Sequence, residues 1–123
     1  MAIAKTRTDL IGTSVSKTTI TAGSSSTSAS KDCSTFVGIQ IGGGIDFGGT
    51  PDDDVLVEVL SSPDDTNFDT IAMPPFKIGF LASSTVQKTI RIGPEDKYLK
   101  VKTTNEDSTD SIDAWLFLMG MTT

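Results

Sequence analysis

Apolar and polar residues alternate at period two through much of this chain, most clearly from Val55 onward. Val55, Val57 and Val59 are interleaved with Leu56, Glu58 and Leu60, and the run is closed by Ser61-Ser62-Pro63-Asp64-Asp65. Phe76 to Leu81 is closed by Ser83-Ser84, Val86 to Ile92 by Gly93-Pro94, and Tyr98 to Thr103 by Asn105-Glu106-Asp107. Short alternating runs ended by turn residues, with no stretch at helical period, predict an all-β sandwich or barrel. Earlier in the chain, Val15 to Thr21 reads as the first strand of the body. Phe36 to Ile41 reads as a further strand with Val37, Ile39 and Ile41 on one face. Between them, the Ser/Thr/Ala/Gly stretch from Ala22 to Ser30 predicts a turn at Ala22-Gly23 and a polar edge strand over Thr27 to Ser30. Low hydrophobicity at an edge discourages unwanted pairing. Phe68 to Met73 is expected to form a hairpin with Val55 to Ser61, and Pro74-Pro75 to mark an edge or a sheet switch, because proline cannot donate a ladder hydrogen bond.

Three segments depart from simple alternation. Gly42 to Pro51 carries five glycines and reads as a loop. Phe47 inside it is either an exposed aromatic or a plug folded over the end of the sandwich. Burying a Phe is worth about 1.5–3 kcal/mol, which favours the plug. The last run, Ile112 to Met121, is apolar on both faces: Ile112, Ala114, Leu116 and Leu118 on one, Trp115, Phe117, Met119 and Met121 on the other. A sandwich strand needs only one buried face, so a loop, the N-terminal segment or another copy of the chain must cover the second. Residues 1–14 read as an extended arm, either frayed or lying on a neighbouring subunit and burying Leu10 and Ile11 there.

At 123 residues the chain is one domain on length alone, an arm over 1–14 and a β-sandwich over 15–123. Its apolar share of 37% is low, and roughly a quarter of the residues are Ser or Thr, which suits a thin sandwich with much solvated β surface. The net charge of −6 is carried by the second half, where acids crowd into the turns Asp52 to Asp54, Asp64-Asp65 and Glu106 to Asp113. Such a surface repels phosphate backbones, so nucleic acid is not an expected partner. Cys33 is the only cysteine, which precludes an intramolecular disulfide and fits folding in a reducing cytoplasm. The opening Met1-Ala2-Ile3-Ala4-Lys5 lacks the apolar core of a signal peptide, and no apolar run is long enough to span a membrane. Neither secretion nor a membrane partner is expected; release from a cell would come by lysis.

Candidate chemistry is sparse. Without histidine there is no Ser-His-Asp or Cys-His arrangement, and Cys33 sits between Asp32 and Ser34 with no cation to lower its pKa. Asp65-Thr66-Asn67-Phe68-Asp69 matches the opening of a calcium loop, but Thr70 stands where glycine is needed and Phe76 where the bidentate Glu is needed. The stretch reads as a hairpin turn whose Asp and Asn side chains bond their own backbone, an irregular calcium site being the alternative. Gly42-Gly43-Gly44 lacks the Lys-Ser/Thr of a phosphate-cradling loop. The expectation is a non-enzyme with no cofactor and no metal.

Three stretches resemble small β-sandwich structural proteins of tailed bacteriophages. They are Ile20 to Ser30 (the Ser/Thr-rich opening), Val57 to Phe68 (a strand and hairpin turn) and Lys97 to Asn105 (a strand after a Pro-containing turn), together about a third of the chain. The resemblance implies a jelly-roll-like capsid decoration, or cement, protein or a related head or tail accessory protein. Such a protein sits as a homotrimer on the capsid surface and bridges neighbouring subunits of the major capsid protein. The expected location is therefore the virion, after synthesis in the host cytoplasm. Leu10, Ile11, Phe47, Trp115, Phe117 and Met119 are the expected assembly contacts. A carbohydrate- or receptor-binding module, with Trp115 and Tyr98 as its aromatic platform, is the alternative from another class. A tail or head–tail joining component is the third.

Overall fold

Ten strands and no helix are formed by the residues that the computed structural model describes, which are 3–49, 52–71, 75–93 and 98–123. In chain order they are β1 (Ala4–Ile11), β2 (Thr18–Ile20), β3 (Ser25–Thr27), β4 (Lys31–Asp32), β5 (Gly38–Asp46), β6 (Val55–Ser62), β7 (Phe76–Ile78), β8 (Thr85–Ile92), β9 (Tyr98–Asn105) and β10 (Ile112–Thr122). They make two antiparallel sheets. The first has the order β1-β10-β5-β8, with β2 continuing the β1 edge of β10; the second has the order β3-β9-β6-β7, with β4 continuing the β3 edge of β9. From β4 onward the chain changes sheet at every connection except β6 to β7. The result is a jelly-roll-like β-sandwich.

The core is where the two inner faces meet. Ile39, Ile41 and Ile45 of β5 and Leu116 and Leu118 of β10 face Val55 and Val57 of β6 and Leu99 and Val101 of β9, all fully buried. Each such side chain contributes about 1.5–3 kcal/mol of transfer free energy. Cys33 is also buried there. Phe47 is 6% exposed, so it plugs the sandwich end.

Several boundaries differ from the sequence reading, each for a physical reason. The glycine run is not a loop: β5 continues through Gly42-Gly43-Gly44 and pairs with β10 on one side and β8 on the other. Bulky side chains on β10 occupy the space that side chains at Gly42 and Gly43 would need. A Cβ at Gly42 would stand 2.4 Å from Phe117 Cζ and 2.8 Å from Thr89 Oγ1. Residues 4–11 are not a free arm but a strand of the first sheet, paired from Ala4↔Thr122 to Asp9↔Phe117. The register slips between Asp9 and Ile11, and this bulge turns both Leu10 and Ile11 onto the core. Only Thr18–Ile20 of the expected first body strand is extended, and Val15 is 94% exposed. Phe68 to Ile71 is not a strand; β6 takes β7 as its hairpin partner instead. Phe76 and Ile78 point inward as expected, but the strand ends there and Phe80 is exposed. Met73, Pro74 and Pro94 lie outside the described residues.

Candidate functional site

The outer face of the first sheet follows from the inner one. With Ile112, Ala114, Leu116 and Leu118 buried, alternation sends Trp115, Phe117, Met119 and Met121 to the other side of β10. Opposite them on β5 stand Gly44, Gly42, Gln40 and Gly38, and opposite the last three on β1 stand Asp9, Arg7 and Lys5. The three glycines form a low floor beside the row. Phe117 lies over Gly42 and is only 7% exposed, although it faces outward. This is how β10 carries two apolar faces: the second is partly sheltered by a bare backbone alongside.

Trp115 is held on three sides. Its ring stacks on Phe117 at 4.7 Å between centroids and 34° between planes. The indole N–H donates to Asp9 Oδ1 at 2.8 Å, and Asp9 also pairs with Arg7 at 3.5 Å. The Arg7 guanidinium lies 5.5 Å from the ring centroid, a cation–π distance. At the far end of the row, Met121 and Gly38 join Ile3, Val37 and Arg91 around a cavity of about 330 Å³. Ile3 and Val37 are exposed apolar residues at its rim. An apolar row therefore runs down the face between Lys5 and Arg7 on one side and Arg91 on the other.

The structure brings together three of the six expected contact residues, Trp115, Phe117 and Met119. Ile11 and Phe47 are spent in this chain's own core, 4% and 6% exposed, and Leu10 packs against that core, so these three are corrected as surface contacts. Tyr98 lies on the second sheet, where it pairs with Ser62 and Asp32. It therefore stands on the opposite outer face from Trp115, and the two make no common platform. The glycine floor, Arg7, Asp9 and Arg91 were not singled out from sequence, and Met121 was placed on this face but not named as a contact. One signal was present: Ile39, Ile41, Ile45 and Phe47 hold odd positions straight through the glycines. A continuing strand requires that pattern.

The end of the sandwich beyond Asp46 and Asp113 is acidic and internally bonded. Asp107 is 1% exposed and accepts backbone N–H bonds from Asp52, Thr109 and Asp110 at 2.7–2.9 Å. The N–H groups of Asp110 and Thr109 chiefly hold its carboxyl down at about 2. Asn105 ties this loop to the body through Ile20 O and Asp110 O, and accepts the Asp107 N–H. In the turn expected to be self-bonded, Asp64 accepts from the N–H groups of Thr66 and Asn67, which hold its carboxyl well below the usual carboxylate range. Asp64 thus spends its oxygens on the turn itself. Among the described residues no group of three or more acids, cysteines or histidines is placed to hold a metal ion.

No protein-family model and no curated protein matches the chain. Among solved structures, it is similar to a chain of infectious bursal disease virus, Gx strain, at TM-score 0.62 and 13% identity over 98% of this chain and 32% of that one. The tailspike protein 4 enzymatically active domain of bacteriophage CBA120 superposes at TM-score 0.59 and 8% identity, over 94% of this chain and 17% of the other. A family 16 carbohydrate-binding module-2 superposes at TM-score 0.52 and 12% identity, over 80% of this chain and 72% of the module. The chain thus spans about a third of the length of the first of these. At such identities the likeness establishes the sandwich fold, which virion proteins and a carbohydrate-binding module share.

Proposed function

We propose that this chain is a virion structural protein that decorates a phage capsid and stabilises it by bridging neighbouring subunits of the major capsid protein. The observation that carries the reading is the outer face of the first sheet. There Trp115, Met119 and Met121 form a partly exposed apolar row that no other strand among the described residues covers, and Trp115 is pre-set by Asp9 and Arg7. An ordered aromatic anchor ringed by polar groups is the common form of an energetic centre at a protein interface. The face is four strands wide and about eight residues long, of the order of 500 Å². That is below the roughly 800 Å² per partner of a standard interface. A homotrimer that presents three such faces supplies the missing affinity by avidity. Binding the assembled shell and not the free subunits stabilises the shell by mass action. The resemblance of three stretches to phage structural proteins points the same way.

The test is saturable binding of the purified chain to capsids that lack it. Trp115→Ala should weaken binding by about tenfold or more, as loss of a central aromatic anchor does. Unchanged binding, or none by the unaltered chain, defeats the proposal.

Carbohydrate binding is the second reading, favoured by an outward Trp on a sandwich similar to a carbohydrate-binding module. The geometry weighs against it. Phe117 stacks on the Trp115 ring and the Arg7 guanidinium lies at cation–π distance from it, so a sugar stacking there competes with contacts the ring already makes. A glycan-array signal that Trp115→Ala abolishes, with capsid binding absent, would reverse this preference.

A further inference from the structure

Besides single exposed residues such as Val15 and Ile71, two clustered apolar features stand at opposite ends of the sandwich, the first of them adjoining the end of the Trp115 row. One is the cavity of about 330 Å³ at the start of β5, framed by Ile3, Val37, Met121 and Arg91. The other is the turn between β7 and β8, which displays Phe80 and Leu81 at 49% and 58% exposure. This turn is braced. The Phe80 N–H donates to Asp54 Oδ1 at 3.0 Å, the Ser83 N–H to Gly48 O at 2.8 Å, and the Phe47 N–H to Ser84 O at 3.0 Å. A tip held this way costs little ordering entropy when it docks. It is also acidic: Asp53, exposed, precedes Asp54, and the Asp54 N–H donates to Asp53 Oδ1. The cavity carries the opposite charge, since Arg91 at its wall is exposed and makes no ion pair with the described residues.

We propose that the Phe80–Leu81 tip of one copy docks in the Met121–Arg91 cavity of the next, with Asp53 facing Arg91. The occupant is a second copy of this chain, because the same molecule presents a matching acidic, apolar tip and a matching basic, apolar cavity. The two patches stand at opposite ends of β5, nine residues or about 30 Å apart, and the proposed contact is head-to-tail, the tip engaging one neighbour and the cavity another. The interface is heterologous: it closes as a ring if the rotation allows and extends as a filament if it does not. The inference does not depend on the capsid-binding role of the Trp115 face.

The test is sedimentation and light scattering of the full chain and of two surface variants, each checked for a native fold by circular dichroism. The unaltered chain should form a concentration-dependent assembly. Arg91→Glu, which disables the cavity, and Leu81→Asp, which disables the tip, should each raise the dissociation constant about tenfold or more. An equimolar mixture of the two should form one-to-one dimers, because one live tip then meets one live cavity. An unaltered chain that stays monomeric overturns the proposal, and so does an assembly that either variant leaves intact. Variants that dissociate separately but fail to pair in the mixture point to an isologous contact and overturn it as well. Capsid binding read in parallel separates the two ideas: a monomer that binds capsids leaves the decoration role standing, and an assembly that ignores them leaves this contact standing.

Discussion

Gly120 and Asn105 show how single residues hold this sandwich. A Cβ at Gly120 would lie 2.4–2.5 Å from three atoms of the Phe36 ring, which covers the inner face of β10 at its end. Gly120→Ala must therefore displace a whole ring rather than the tip of a flexible chain. The expected loss is about 1–3 kcal/mol, read as a lower urea midpoint with an unchanged slope. A midpoint within error of the unaltered chain would show that Phe36 is free to move. Asn105 is fully buried and makes three hydrogen bonds that join β9, β2 and the acidic loop. Asn105→Ala leaves two carbonyls and one N–H without their partner, at about 1–3 kcal/mol for a buried group so exposed to loss. It should destabilise more than Gly120→Ala in the same assay. Neither residue was legible as a packing point, since a sequence gives no sign of what stands across from a glycine or an asparagine.

At the scale of elements, the acidic loop after β9 is a pH-sensitive piece. The folded Asp107 carboxyl sits at about 2, below its ordinary value of 3.8, because backbone N–H groups of Asp110 and Thr109 bond the charged form. A depressed carboxyl adds stability that is complete above the unfolded value and is lost as pH falls through the folded one. The loop from Glu106 to Asp110 should therefore loosen between about pH 4 and pH 2. Amide exchange or relaxation of Thr109 and Asp110 would follow it. Asp107→Asn should remove most of that pH dependence, and a variant that keeps the full dependence would assign it to another carboxyl. The strands themselves were largely legible: β6, β8, β9 and β10 lie where alternation places them, within a few residues. Besides the strand expected over Phe68 to Met73 and the shortened Val15 and Phe76 runs, the misreadings were β1 and β5. Both follow from composition: a polar, basic edge strand and a run of glycines each look like chain without structure until a partner strand is present.

For the molecule as a whole, surfaces are sorted by direction. One broad face carries the Trp115 row, one end carries an acidic apolar tip, and the other end carries a basic apolar cavity. A β-sandwich whose docking face runs alongside its self-association axis can be anchored to a lattice while joined to its neighbours. Charge should govern the second process and apolar area the first. Added salt should then weaken self-association more than capsid binding, since exposed pairs such as Asp53 and Arg91 are screened. Equal salt dependence of the two would contradict this division.

The amino-acid sequence alone determined that the chain is all-β, that it makes a single sandwich without disulfides, and that its last strand has two apolar faces. Period-two alternation suffices for these, because it encodes which side of a strand is buried. Tertiary structure decided the rest: that Gly42 lies beneath Phe117, that a bulge turns Leu10 and Ile11 inward, that Trp115 and Tyr98 stand on opposite faces, and that the tip and cavity occupy opposite ends. Alternation says nothing about which strands are neighbours or in what register. Those are set by contacts between residues far apart in the chain, and only the closed sandwich specifies them.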